Sequence, residues 1–445
     1  MRQIASRFRP AAGVHLAGML AVAGLVAVSA CAPPAPDSGV APGEAQVDEA
    51  APPTDFDALV AGRLDAPARI PLAAESPAAL ADLQSLELFQ GEHEPNFLRA
   101  LALVPGSAGP FAAAFQTLLF GGTVEPETKA AMGLQIGRVL ESPYAVVHLR
   151  RILEATAPGQ ALVRHLEHGE RARPEQDAAL RYATWLTEDV HGVDDERFRQ
   201  VRAYYNDSQI VELTMTVSFF NYFTRLVEAV RLPVEPWALD SVAHVPAVGG
   251  DALQARVRLI SDEELAWAAG VANAQSRDGE GDEGFRLVNS QRAMNLVPDV
   301  TAAWRAYTGT TGRGSAVDRE ILLQVSFAVS MANGCRYCTL HQVQGLRRLG
   351  VSPGKLLQMK KDDSALTPRE LVAVTFARTL TRRPADVSDA DFDALRAEFG
   401  ERGAIDVVLQ TCNFAFMNRF TDNLGLPSED EAIRVYRDVY GADFQ

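Results

Sequence analysis

Apolar residues in the C-terminal half of the chain recur with the spacing of α-helices. Between Arg319 and Met331 they form one wide face, and Asn333-Gly334 then interrupts the pattern. A second amphipathic segment follows and runs to Leu349, before Gly350. Stretches in which apolar and polar residues alternate with a period of two are scarce. The pattern therefore predicts an all-α protein.

Capping signals place further helix boundaries. Thr367-Pro368-Arg369-Glu370 combines an N-cap residue, a proline at the first helical position and a capping-box acid. Residues 388–399 and 404–424 carry two more helical patterns. About six or seven helices are predicted for each half of the protein.

The chain also resembles itself. At a shift of 193 residues, segment 99–105 falls on 292–298. The same shift aligns the following pairs: Glu127 with Glu320, Ser142 with Cys335, Tyr144 with Tyr337, Ala145 with Cys338 and His148 with His341. Further along, a shift of 197 aligns Asn221 with Asn418 and Thr224 with Thr421. We interpret this as two tandem helical repeats, 56–245 and 246–445, with a boundary near 245–252.

The N-terminus has the features of a targeting segment. Three arginines (Arg2, Arg7 and Arg9) precede an apolar stretch over 11–30, which ends in Val28-Ser29-Ala30-Cys31. This ending resembles the lipobox of bacterial lipoproteins, which predicts a signal peptide over 1–30 and lipidation of Cys31. A single membrane anchor is the alternative, because the stretch is almost long enough to span a bilayer. Ala32 follows, not an aspartate, which favours the outer membrane facing the periplasm in a Gram-negative cell.

Composition separates a tether from the folded part of the chain. Residues 31–55 are rich in Ala, Pro and acids, which is typical of a disordered tether. Removal of the three arginines with the signal takes the formal net charge from −15 to −18. Such a charge argues against nucleic acid as a partner and limits membrane contact to the lipid anchor.

The most specific chemical signal is a pair of cysteines. The chain has only four, and Cys335 and Cys338 are three residues apart, with His341 one turn further on. At a helix start a thiol is favoured as thiolate, and a pair at this spacing can open and close a disulfide. A half zinc site and a structural disulfide are the alternatives. A structural zinc usually needs four ligands, and the remaining histidines are scattered, so no metal or cofactor is predicted.

Asn333-Gly334-Cys335-Arg336-Tyr337-Cys338 with its following histidine resembles the AhpD-like, carboxymuconolactone decarboxylase superfamily. Residues 418–427 resemble the C-terminal pattern of the same superfamily. The resemblance covers most of the second repeat and reaches the first repeat through the internal match. It implies an all-helical, oligomer-forming fold and, where the cysteines are present, alkylhydroperoxidase activity.

The resemblance also implies roles for particular residues. Cys338 would attack a hydroperoxide as a thiolate and become a sulfenic acid, which Cys335 would resolve as a disulfide. His341 would relay a proton, directly or through water, and Glu320 is the acid nearest to the place of the superfamily's relay glutamate. A separate dithiol reductant must restore the pair.

The first repeat limits these assignments. It has Ser142 and Ala145 in place of the cysteines and yet keeps Glu127 and His148, so packing or hydrogen bonding is an alternative role for Glu320 and His341. Two other functions stay open. One is a cysteine-independent lyase of the decarboxylase type that uses the His148 or His341 pocket. The other is a non-catalytic lipoprotein scaffold. Cys412, in an apolar run, is predicted to pack as a small apolar residue.

Overall fold

Helices make up the regular structure of this protein in the part of the chain that the computed structural model describes. That part is 55–441, with gaps at 65, 75–85, 90–92, 241, 244–287 and 313. No strand occurs among these residues, which confirms the predicted all-α class. The predicted signal peptide, Cys31, nearly all of the tether and the predicted repeat boundary lie outside the described residues.

Ten α-helices of the described chain precede the gap at 244–287. They are α1 (Phe56–Leu64), α2 (Asn96–Leu101), α3 (Ala108–Phe120), α4 (Pro126–Val139), α5 (Pro143–Glu154), α6 (Ala157–His168), α7 (Pro174–Glu188), α8 (Asp195–Arg202), α9 (Asp207–Ala229) and α10 (Pro236–Asp240).

Eight α-helices follow that gap among the residues that the structure describes. They are α11 (Asn289–Met294), α12 (Pro298–Gly312), α13 (Arg319–Ala332), α14 (Arg336–Arg348), α15 (Pro353–Lys361), α16 (Pro368–Arg382), α17 (Asp389–Asn423) and α18 (Asp430–Tyr440). Their order repeats that of α2–α10, with α17 in the place of both α8 and α9. Both halves hold more helices than predicted, because the shortest ones contain too few turns to show a period.

Local signals placed the helix boundaries well. The capping box at Thr367 forms as predicted, with Glu370 Oε2 accepting the Thr367 N–H at 2.8 Å. The two helical patterns over 388–399 and 404–424 are joined as α17, which has a non-helical break at Gly400 (φ 69°). Glycine adopts this left-handed conformation without the steric penalty of other residues, so the chain can turn there and continue as a helix.

The long helices α9 and α17 pack against each other at the centre of the molecule. Their apolar residues belong to one hydrophobic cluster that includes residues from both halves. Around them, Trp304 stacks on Phe416 with ring centroids 4.6 Å apart, and the hydroxyls of Tyr222 and Tyr307 lie 2.5 Å apart. The two halves of the described chain thus share one core.

Two buried arginines show how these helices are paired. Arg225 of α9 donates to the Thr381 carbonyl at the end of α16, at 3.1 Å. Arg419 of α17 donates to the Thr187 carbonyl at the end of α7, also at 3.1 Å. Each guanidinium therefore meets the negative end of a helix in the opposite half of the molecule.

These contacts correct the predicted alignment of the long helices. Arg225 with Arg419, and Thr187 with Thr381, correspond at a shift of 194, not 197. The error is three residues, close to one helical turn, so both shifts place apolar residues on similar faces. Asn221 and Asn418 therefore do not occupy equivalent positions in the two halves.

Candidate functional site

The cysteine pair lies at the N-terminus of α14, directly after a turn. Gly334 in that turn has a φ of 68°, and the Cys335 N–H donates to the Ser330 carbonyl at 2.9 Å. Cys335 is the N-cap residue, and its sulfur accepts the Cys338 N–H at 3.4 Å. Both thiols are buried and reduced. The predicted placement of the pair in the first turn of a helix therefore agrees with the structure.

One hydroxyl contacts both thiols. Thr421 Oγ1 of α17 lies 3.4 Å from Cys335 Sγ and 3.3 Å from Cys338 Sγ. The same hydroxyl donates to the Met417 carbonyl at 2.9 Å. A hydroxyl can rotate, so Thr421 can turn its proton to a sulfur when that sulfur ionises.

His341 faces an acceptor with each ring nitrogen. Nδ1 lies 2.7 Å from the Tyr337 carbonyl, and Nε2 lies 2.7 Å from Glu429 Oε2. A carbonyl and a carboxylate both accept hydrogen bonds, so the arrangement favours the doubly protonated imidazolium. Burial lowers the pKa of His341, but Glu429 and the Tyr337 carbonyl outweigh it and raise the pKa above 6.5. The ring therefore acts on Cys338 through its charge.

The two thiols differ in acidity. Burial raises the pKa of Cys338, but hydrogen bonds with Cys335, Thr421 and Asn418 and the charge of His341 bring it below 9.0. Burial, the Cys338 sulfur and the Asp422 carboxylate hold the pKa of Cys335 well above 9.0. The Cys338 N–H favours a Cys335 thiolate, but one bond of 3.4 Å does not offset the neighbouring carboxylate.

This difference predicts the order in which the thiols react. As the pH rises from 6, a small alkylating agent should modify Cys338 first, because the thiolate is the reactive form. Cys335 should react only in more alkaline solution. Alkylation rates followed by mass spectrometry, with Cys335→Ser and Cys338→Ser to separate the two sites, measure both midpoints. A lower midpoint for Cys335 would contradict the assignment.

Glu320 is not part of this cluster. Its Oε1 lies 2.9 Å from Lys355 Nζ and accepts from Gln324 at 3.1 Å, and Lys355 also contacts Glu370 at 2.6 Å. The described contacts of Glu320 thus belong to an ion-pair cluster on α13, α15 and α16. Glu320 lies about one helical turn before the place of the relay glutamate in the superfamily, and its carboxylate contacts Lys355. The carboxylate beside His341 belongs to Glu429 instead.

Sequence reasoning missed three residues of the site. Thr421, Asp422 and Glu429 are far from the cysteines in the chain, and only packing brings them to α14. The sequence does contain a signal for Glu429, because the motif Leu-Pro-x-Glu occurs in both halves, at 232–235 and at 426–429. Asn418 hydrogen-bonds the side chains of Asn333 and Ser330 and lowers the pKa of Cys338.

The first half repeats the hydrogen bonds around Glu429. Glu235 accepts from the Tyr144 hydroxyl at 2.9 Å and lies 2.9 Å from His148 Nε2. It also accepts the backbone N–H of Asn96, as Glu429 accepts that of Asn289. Where the thiols would be, Ser142 caps α5 through Ala145 N–H at 3.3 Å. This network is therefore stable without any thiol.

Two other features bear on function. Within the described residues, no cluster of histidine, cysteine and acidic side chains is suited to hold a metal ion, and no helix is long and apolar enough to cross a membrane. Cys412 is fully buried in the shared core, away from the pair, where burial raises its pKa.

Comparison with known families identifies the region of the dithiol. Residues 298–379 match the model of the carboxymuconolactone decarboxylase family. The match covers α12–α15 and most of α16, including both cysteines and His341. This segment is therefore similar to a domain of the carboxymuconolactone decarboxylase family. A comparison with curated proteins gave no match.

Proposed function

We propose that this protein is a thiol-dependent hydroperoxidase of the AhpD-like type, with Cys338 as the thiol that meets the peroxide. One arrangement carries the proposal: two buried, free thiols meet at a helix N-terminus, within 3.4 Å of one shared hydroxyl and next to the His341–Glu429 pair, and these surroundings favour ionisation of Cys338. A low-pKa thiolate with an adjacent resolving thiol is the arrangement that peroxide reduction requires.

The reaction proceeds in three balanced steps. The Cys338 thiolate attacks the peroxide oxygen, the O–O bond breaks, and the leaving alkoxide takes a proton to become an alcohol, while Cys338 becomes a sulfenic acid. The Cys335 sulfur then attacks the Cys338 sulfur, the S–O bond breaks, and water leaves as the disulfide forms. An external dithiol reduces that disulfide by thiol–disulfide exchange and is itself oxidised.

Thiol titration of the purified protein tests the proposal. The reduced protein is exposed to hydrogen peroxide and to a panel of alkyl hydroperoxides, and free thiols and peroxide are counted. We expect two thiols to be lost for each peroxide consumed, with Cys412 unchanged. Turnover should then require a dithiol reductant. No thiol loss with any member of the panel would exclude the hydroperoxidase.

The cysteine-independent lyase is less well supported. His148 lines a cavity of about 30 Å³ with Phe97, Phe115, Phe223 and Trp237. That volume holds only one or two water molecules, far below the few hundred Å³ typical of a ligand pocket. A lactone acid would need the aromatic walls to move apart.

We also propose that the two halves are copies of one ancestral unit, the first of which has lost its thiols. The repeated helix order and the repeated Glu235 and Glu429 networks support this. The double substitution Ser142→Cys/Ala145→Cys should then build a second pair that peroxide or diamide closes to a disulfide. Peptide mapping of the oxidised protein measures this, and two thiols that stay reduced would count against the equivalence.

The anchor is a further part of the proposal. The lipobox resemblance at Cys31 supports a lipid-anchored protein of the outer membrane that faces the periplasm. Cys31→Ser should block lipidation and leave the signal attached, which increases the mass of the polypeptide and leaves it without acyl chains. Mass spectrometry of membrane fractions checks this. Unlipidated wild-type protein in the soluble fraction of a bacterial host would contradict it.

A further inference from the structure

A histidine of the cysteine-free half reaches the dithiol. His191 lies in the turn between α7 and α8, and its Nδ1 is 2.7 Å from Asp422 Oδ2 of α17. The same turn is held by a bond from the His191 N–H to Asp189 Oδ1 at 2.9 Å. A Cβ atom at Gly334 would lie 2.9 Å from His191 Nε2, so a glycine beside Cys335 is what lets the ring approach.

Asp422 connects this histidine to a thiol. Asp422 follows Thr421, whose hydroxyl lies 3.4 Å from Cys335 Sγ, and its partner His191 reaches Gly334, the residue before Cys335. Its side chain is only 13 % exposed. Burial raises the pKa of Asp422 above 3.8, whereas the charge of His191 and the neighbouring Arg336 N–H and Cys335 thiol oppose that rise. A carboxylate with a raised pKa beside a thiol is suited to accept that thiol's proton.

We propose that Asp422 is the general base that deprotonates Cys335 in the disulfide-forming step, and that His191 is the positioning residue that holds this carboxylate. The inference rests on the proposed function for its place in the reaction. It gives the first half of the protein a direct part in the site of the second half.

The step balances without any further reactant. The Cys335 proton passes to Asp422 Oδ as the sulfur attacks the sulfenic sulfur of Cys338. The S–O bond breaks, and the leaving hydroxide takes the proton back from Asp422 to depart as water. Cys335 requires such a base because its pKa lies well above 9.0, so at neutral pH it is a thiol. The ring nitrogens of His341 are engaged by Tyr337 and Glu429 instead.

The first half provides an internal comparison. There Glu228 corresponds to Asp422, accepts from Ser142 Oγ at 2.6 Å and pairs with Arg63 at 2.5 Å. Arginine keeps its proton at all physiological pH values, whereas histidine titrates near neutrality. The half with a hydroxyl in place of the thiol thus has an arginine in place of the histidine.

A two-phase reaction with an aromatic disulfide tests the proposal without peroxide. Attack by Cys338 releases one coloured thiolate, and closure by Cys335 releases a second. We compare the wild type, Asp422→Asn, His191→Asn and the control His168→Asn, an exposed histidine of the same half. General bases typically contribute 10²–10⁴-fold, so Asp422→Asn should slow the second phase about 100-fold and His191→Asn about 10-fold. The first phase should change by less than about twofold in both.

The direction of the change separates a base from a mere charge. If Asp422 acted only as a negative charge, its neutralisation would lower the pKa of Cys335 and make closure faster. A second phase that is unchanged or faster in Asp422→Asn therefore overturns the proposal. An unchanged second phase in His191→Asn would show that the histidine does not position Asp422. Because the His191 side chain is half-exposed, this variant should fold even if Asp422→Asn does not.

The pH dependence of closure gives a second readout. In the wild type, closure should slow in acid as Asp422 takes up a proton. In Asp422→Asn the rate should instead rise tenfold per pH unit until Cys335 ionises. The charged or titratable groups around Asp422 are His191 and Asp189 from the turn, Cys335 on α14 and Arg419 one turn earlier on α17.

Closure with the aromatic disulfide does not depend on peroxide. The thiol titration can therefore exclude the hydroperoxidase while the closure assay still supports Asp422 as the base, and the reverse also holds.

Discussion

We expect Cys338→Ser to abolish peroxide consumption and Cys335→Ser to permit a single oxidation that does not turn over. Serine has no thiolate that could attack the O–O bond at neutral pH, so the rate should fall to that of the uncatalysed reaction. In Cys335→Ser the acidic Cys338 remains, and its sulfenic acid has no thiol to resolve it. A dimedone-type probe should therefore label Cys338 once per chain.

The first half indicates that the Cys335→Ser variant can fold. Ser142 holds the position of Cys335 and caps its helix in the same way, so serine at 335 should keep the start of α14. Cys412→Ser, a change far from the pair, is the control and should consume peroxide like the wild type. Labelling of Cys335 in the Cys338→Ser variant would reverse the two roles.

We expect Glu429→Gln to slow peroxide reduction at neutral pH by about tenfold, because each unit by which the pKa of Cys338 rises lowers its thiolate fraction tenfold. The carboxylate stabilises the His341 imidazolium, and that cation helps to lower the pKa of Cys338. Glutamine can still accept hydrogen bonds but carries no charge. The pKa of His341 should then fall towards or below 6.5, and the acidic limb of the rate profile should move to higher pH.

Glu235→Gln is the matched control for this prediction. Glu235 makes the same contacts with Tyr144 and His148 in the first half, where no thiol is present. The initial rate of peroxide consumption between pH 5 and 9, with thermal unfolding of each variant, measures both effects. Equal losses of activity in the two variants would mean that the carboxylates act only in packing.

Local sequence signals determined much of this fold. The capping box of Thr367 and Glu370, the break at Gly334 and the apolar period over 319–331 each depend on residues within about one or two helical turns of each other. Such interactions are specified by the chain itself, so the helical class and the position of the dithiol at a helix start could be predicted. The spacing of the two thiols also marked them as the candidate chemical centre.

Tertiary packing decided which side chains surround those thiols. Thr421, Asp422 and Glu429 lie more than 80 positions from the cysteines, and His191 lies in the other half of the chain. Their arrival depends on the register of α17 against α9 and α14. A shift of one helical turn preserves the apolar face but exchanges every polar neighbour, which is why periodicity aligned Asn418 with Asn221. For the same reason Glu320, near the expected place in the sequence, contacts Lys355. The sequence alone therefore determined the helices and the reactive pair, and the three-dimensional packing of α17 determined their electrostatic surroundings.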